Sequence, residues 1–196
     1  MTDWRGLLKS SLFRPREAAA EVIGWPLSIG VLAQITALMA VSSALLSALT
    51  VRARGDGAEL VFAWFVENPL ALAVTQFLGA LVLAGMMSGI GRAFGGHGTF
   101  RPALALVMWF NLISIGIQFA FSVLAATVIL AVFALLIGLF YLVWFFWALS
   151  AFTAELHGFE SGWRVFGGLF VTLVGLSFLL NIVFVLMGFE PPEMPT

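Results

Sequence analysis

Three groups of residues in this chain have the types to do chemistry. Glu155, His157 and Glu160 sit in one short segment. Carboxylates beside an imidazole are the groups of general acid–base catalysis and of zinc ligation. Arg92, His97 and Arg101 form a second, cationic group around Gly95-Gly96-His97-Gly98-Thr99. The third group is uncharged: the amides Gln34, Gln76, Asn111, Gln118 and Asn181, each set in an apolar stretch. The first group matches no metalloprotease helix pattern, and the second lacks the Lys-Ser/Thr of a phosphate loop. There is no cysteine, so disulfides, thiolate metal sites and thiol nucleophiles are excluded. Both charged groups therefore read as solvated loops with salt bridges. No catalytic residue, cofactor site or metal ligand is assigned, and a non-enzymatic protein is expected.

What must position these groups follows from one feature. Ala103 to Ala154 contains no Asp, Glu, Lys or Arg. About 20 residues cross a bilayer once as a helix, so this run crosses twice, and the small residues at Ser122–Ala126 are where it should turn. The whole chain is 62% apolar and 10% charged, against about 45–50% and about 25% for soluble domains. The expected fold is all-α: an integral membrane helical bundle of five transmembrane helices preceded by amphipathic N-terminal helices. The spans fall at about 27–51, 70–92, 103–121, 127–152 and 165–187, within a membrane domain 27–188. Residues 189–196 form a short exterior tail.

Residues 1–26 read as a cytoplasmic interfacial segment. Trp4, Leu7, Leu8 and Leu12 recur at helical spacing with Arg5 and Lys9 off the stripe, the pattern of a helix lying among headgroups. Pro15 starts a second short helix to Gly24. Asn68-Pro69 suits the start of the second span, and Ala58–Val66 could form a further interfacial helix. Gly158 can end the fourth span and Ser161 start the fifth. Ala80, Ala84, Gly85, Ser88 and Gly89 give overlapping small-residue patterns that let helix backbones approach in lipid. With the N-terminus inside, inner segments hold Arg5, Lys9, Arg14, Arg16, Arg92, Arg101 and Arg164, and outer ones only Arg52 and Arg54. This bias places the N-terminus in the cytoplasm and the C-terminus outside the inner (plasma) membrane.

No charge lies deep within a span, which weakens an ion-coupled transport reading. An amide facing lipid leaves its polar atoms unpaired, so the five amides should point inward. By depth, Gln76, Gln118 and Asn181 form one polar layer, and Gln34 and Asn111 another.

Three segments together carry a resemblance: Pro15-Arg-Glu-Ala-Ala-Ala-Glu-Val-Ile, Gly91-Arg-Ala-Phe-Gly-Gly-His-Gly-Thr-Phe-Arg101, and the Trp147–Val165 region with Leu149, His157-Gly158 and Ser161. The chain resembles bacterial members of the Yip family of Ypt-interacting-protein-like membrane proteins. The resemblance implies a five-span bundle with a cytoplasmic N-terminus. Eukaryotic relatives act in vesicle traffic and contact Rab-type GTPases. The Asp-Leu-Tyr-Gly-Pro-like motif of those relatives is absent here, as is a proline in the third span, where Asn111 and Ile113 stand.

The expected function is binding: to membrane lipids, to other membrane proteins or to a second copy, assembling a complex or organising the membrane. The alternative is a small transporter or lipid-moving protein with a polar inter-helix cavity. Net charge is −1, which gives no basic groove for nucleic acid. The expected contact surface comprises Trp4, Arg5, Leu8, Lys9, Glu17 and Glu21 on the N-terminal helices, with Arg92, Arg101, Glu155 and His157 on the inner loops.

Overall fold

A computed structural model describes residues 3–54, 68–125 and 131–186. Their regular structure is all helical, with no strand among them: α1 Trp4–Phe13, α2 Pro15–Ile23, α3 Ile29–Arg54, α4 Pro69–Ala93, α5 Phe100–Ala125, α6 Ala131–His157 and α7 Gly162–Leu186. At about 1.5 Å per residue, each of the five long helices exceeds the ~30 Å hydrocarbon core of a bilayer. Among the described residues, four stretches combine the length and hydropathy of a membrane span: Ile29–Arg52, Pro69–Ala93, Phe100–Ala120 and Leu136–His157.

Local chemistry sets the helix ends. Pro15 and Pro69 open α2 and α4, where the missing N–H costs nothing. α4 and α6 end on glycines with positive φ, Gly95 at +87° and Gly158 at +70°. In each case the next N–H reaches back five residues, Gly96 to the Gly91 carbonyl and Phe159 to the Ala154 carbonyl, both at 2.9 Å. Such closures satisfy carbonyls that a helix end leaves open. Ser161 Oγ accepts from the Arg164 N–H at 3.3 Å and starts α7.

One expected boundary moves. α5 runs through Ser122–Ala125, the stretch expected to turn. Ala is a strong helix former, and nothing there is Gly, Pro or Asn. Ser122 Oγ also bonds back to the Gln118 carbonyl at 2.9 Å, within the helix. Residues 126–130, the Ala58–Val66 stretch and the 189–196 tail lie outside the described residues.

The core is built around the first half of α5. Ala103 through Phe110 are all buried, as expected of a helix apolar on every side. α3 and α4 pack on α5 and on each other, while α2 and α6 also pack on α5, and α7 packs along α6. α3 offers Leu32, Thr36, Ala40, Ala44 and Ala48 to the interior, one residue per helical turn. On α4, Ala80, Ala84 and Ser88 are buried, and such small side chains let backbones come close. Gly85 and Gly89 have open space where a Cβ would stand, so the small-residue pattern serves packing on one face only.

The N-terminal segment is part of this core rather than a layer of its own. On α2, Ala18, Ala19 and Val22 have no exposed surface, because the helix docks against α5 and α6. On α1, Leu7 and Ser11 are buried. The Trp109 indole N–H of α5 donates to Ser11 Oγ at 2.8 Å. The Trp109 ring also meets Trp25 at 5.5 Å and Trp4 at 6.2 Å, centroid to centroid. The outer side of α1 keeps Trp4, Leu8, Leu12 and Phe13 exposed.

Candidate functional site

The residues with chemical potential gather at one end of the bundle, here called the collar. It comprises α1, α2, the 94–99 turn and the 158–161 turn. At its centre is His157, the last residue of α6, only 2% exposed. Its Nδ1 accepts the Gly98 N–H at 3.0 Å, and its Nε2 stands 2.8 Å from the Met87 carbonyl. A carbonyl only accepts, so Nε2 carries the hydrogen and the ring is in one neutral tautomer. Three glycines box it in. A Cβ added at Gly91, Gly96 or Gly98 would fall 2.1 Å, 2.2 Å or 2.7 Å from the nearest atom of the imidazole ring. Phe159 stacks on the ring at 5.4 Å. Both ring nitrogens are committed, so this histidine is neither a free base nor a free metal ligand. It also lies inside the collar, not on the contact surface where the sequence reading put it: the glycine cage that admits the ring also covers it.

The collar arginines act as clamps on backbone. Arg16 of α2 donates to Glu155 Oε2 at 3.2 Å, to the Phe159 carbonyl at 2.8 Å and to the Glu160 carbonyl at 3.1 Å. It thereby ties α2 to the end of α6. Arg101 of α5 donates from Nε to the Leu27 carbonyl at 2.8 Å and from its terminal nitrogen to the Trp25 carbonyl, holding the elbow between α2 and α3. Hydrogen bonds to charged donors are the stronger kind. Glu155 and Arg101 are therefore half-buried structural partners. The other expected surface residues, Trp4, Arg5, Leu8, Lys9, Glu17, Glu21 and Arg92, are exposed. Glu17 pairs with Arg14 at 3.4 Å, an exposed ion pair of little stabilising effect. His97 is exposed as well. Glu155, His157 and Glu160 do not converge, and the described residues hold no group of three His, Cys, Asp or Glu side chains poised for a metal.

The amides divide differently from the two expected layers. Gln118 bonds across to α3: its Oε1 accepts from Ser43 Oγ at 3.0 Å and its Nε2 donates to Ser47 Oγ at 2.8 Å. One turn on, Thr50 Oγ1 donates to Ser122 Oγ at 3.0 Å. Gln76 and Asn111 face the same cavity as Gln118, a space of about 270 Å³ between α3, α4 and α5 also lined by Thr36, Ser43 and Ser114. Gln34 is exposed on the outside of α3, two positions from both Leu32 and Thr36 of the stripe that α3 buries, so it shares no layer with Asn111. The side chain of Asn181 lies outside the described residues. Gln118→Leu is expected to lower stability in detergent by about 0.6–2 kcal/mol, whereas Gln34→Leu should leave it unchanged. Thermal unfolding of the two variants checks this, and equal midpoints would contradict the assignment.

A second space is larger and mostly apolar. It is a groove of about 740 Å³ between α4, α6 and α7, lined at depth by Leu83, Met87, Phe145 and Leu169 and at its collar mouth by Glu160 and Arg164. Sequence reading missed both this groove and the histidine cage. The signal for the cage was present as glycines at 91, 96 and 98, but their partner is far along the chain, 59 residues from Gly98 and further from the other two.

No curated protein and no solved structure matches the chain. The family model of the Yip1 domain matches residues 9–182. That match takes in the clamped α2, the glycine cage and all five long helices almost to the end of α7, and the chain therefore belongs to the Yip1 domain family of membrane proteins.

Proposed function

We propose that this protein acts by contact and not by catalysis: a five-span protein of the inner (plasma) membrane, its collar facing the cytoplasm, that binds membrane lipids and other membrane proteins and so assembles or organises them. The observation that carries the reading is the employment of the collar's polar groups. His157, Arg16, Glu155 and Arg101 are spent on backbone carbonyls, amides and one another. What the collar turns outward instead is an amphipathic surface: Trp4, Leu8 and Phe13 beside Arg5 and Lys9. Aromatic and basic residues in that mixture favour the headgroup region of an anionic membrane. α7 serves as the fifth crossing, being 25 residues long with Arg164 near its collar end. The orientation rests on the excess of arginine and lysine at the collar.

Extraction of the protein from its native membrane in polymer-bounded discs, without detergent, tests this reading. Mass spectrometry of the discs should find a stoichiometric membrane protein partner or a second copy. Discs that hold a lone monomer in every preparation would overturn it.

The cavity lined by Gln76, Asn111 and Gln118 favours a second reading, a small transporter. Transport requires that water reach this cavity. The chain has no cysteine, so a Ser114→Cys variant gives background-free labelling. Reaction of that thiol with a membrane-impermeant reagent supports transport, and no reaction supports the contact reading.

A further inference from the structure

We infer that the groove between α4, α6 and α7 is a binding site for one bilayer phospholipid with a zwitterionic, amine-bearing headgroup. The inference deepens the contact reading above and rests on it.

Shape comes first. The groove reaches from Phe94 at the collar to Leu83 on α4, a rise of roughly 16 Å at 1.5 Å per residue. That equals the hydrocarbon depth of one leaflet, about half of a 30 Å core. Its volume of about 740 Å³ lies within the roughly 300–1,000 Å³ range of small-ligand sites. The walls at depth are mostly Leu, Met, Ile and Phe side chains, which suit an acyl chain, and the hydroxyls of Thr153 and Thr172 donate to the Leu149 and Gly168 carbonyls of their own helices.

Charge then selects the headgroup. At the mouth stand one cation and one anion, Arg164 and Glu160. Both are exposed, and neither forms an ion pair among the described residues. A guanidinium suits a phosphate, and a carboxylate beside it suits an ammonium group and disfavours a second negative charge. A phosphoethanolamine headgroup carries both partners. A purely anionic headgroup would meet Glu160 as a like charge. The polar pair is at the headgroup end of the groove and the apolar walls at the tail end, which is the order of groups along a phospholipid.

Gly168 provides a test that does not disturb packing. It lines the groove, and a Cβ there meets nothing within 4 Å. Gly167 beside it is equally open but does not line the groove. The protein would be reconstituted in vesicles of equal phosphatidylethanolamine and phosphatidylglycerol, extracted gently, and its retained lipid measured by native mass spectrometry. The wild type should keep one phosphatidylethanolamine per chain. Gly168→Leu should lower retention about tenfold or more, and Gly167→Leu should not. Arg164→Gln should weaken retention of either lipid, and Glu160→Gln should shift preference towards phosphatidylglycerol. Retention unaffected by Gly168→Leu, no headgroup preference in the wild type, or a second copy cross-linked across the groove would each overturn the inference. If lipid retention fails while partners still co-isolate in native discs, the groove assignment falls and the contact reading stands.

Discussion

Gly91→Ala should be among the most damaging single changes in the chain, although it adds one methyl group. The new Cβ would stand 2.1 Å from His157 Nε2 and 2.4 and 2.5 Å from the adjoining ring carbons. The ring has nowhere to go, because Gly96 and Gly98 hold its other edges and Phe159 covers its face. It must leave the cage, and the buried Gly98 N–H then loses its acceptor, while the Met87 carbonyl falls back on its own helix. Overpacking alone costs about 1–3 kcal/mol, and each buried polar group left unpaired adds about 1–3 kcal/mol. A loss of about 3 kcal/mol or more is expected, a fall in unfolding temperature on the order of 10 °C. His157→Ala empties the cage and is destabilising by itself. The double variant should cost less than the sum of the two, with a coupling of about 1–3 kcal/mol. Additive losses would show that ring and glycine do not meet.

Trp109→Ala is the second large effect. Trp109 is 1% exposed and joins three elements: α5 on which it stands, α1 through Ser11, and the elbow through Trp25. Truncating a buried tryptophan costs about 3–5 kcal/mol. Trp109→Phe keeps the ring contact and gives up the 2.8 Å bond to Ser11, and should cost only about 1–2 kcal/mol. Ser11 can tolerate this, since its hydroxyl still donates to the Leu7 carbonyl at 2.7 Å. Because α1 depends on Trp109, the alanine variant should also loosen α1 and open the backbone at the already exposed Lys9 to trypsin. Cleavage there at the wild-type rate would contradict the docking of α1.

The two variants mark the limit of what the sequence could reveal. Features written in local chemistry were legible: the chargeless run of Ala103–Ala154, the start of α2 at Pro15, the stop at Gly158 and the start at Ser161. Gln118 was legible as an amide needing partners across helices, because hydrocarbon gives it no alternative. Its actual partners, Ser43 and Ser47, were not, since serine satisfies itself within a helix and leaves no trace of tertiary use. The burial of α2 was also hidden. Ala18, Ala19 and Val22 form an apolar face that suits a lipid surface and a protein core equally well. The turn was misplaced because small residues were read as turn formers where alanines continued a helix. His157 looked like a surface group because its cage comes from glycines, which carry no side chain to advertise a contact.

The central claim is that the collar's arginines hold the N-terminal helices in the bundle. Hydrogen exchange of the backbone amides of residues 16–23 in lipid discs, wild type against Arg16→Ala, tests it most directly. Arg16 makes three bonds that fasten α2 to α6 and the turn after it. Without them the amides of α2 should exchange about tenfold faster, the equivalent of roughly 1.4 kcal/mol of local stability. Identical exchange in the two proteins would mean that the arginine bonds do not fasten α2, and it would contradict the account.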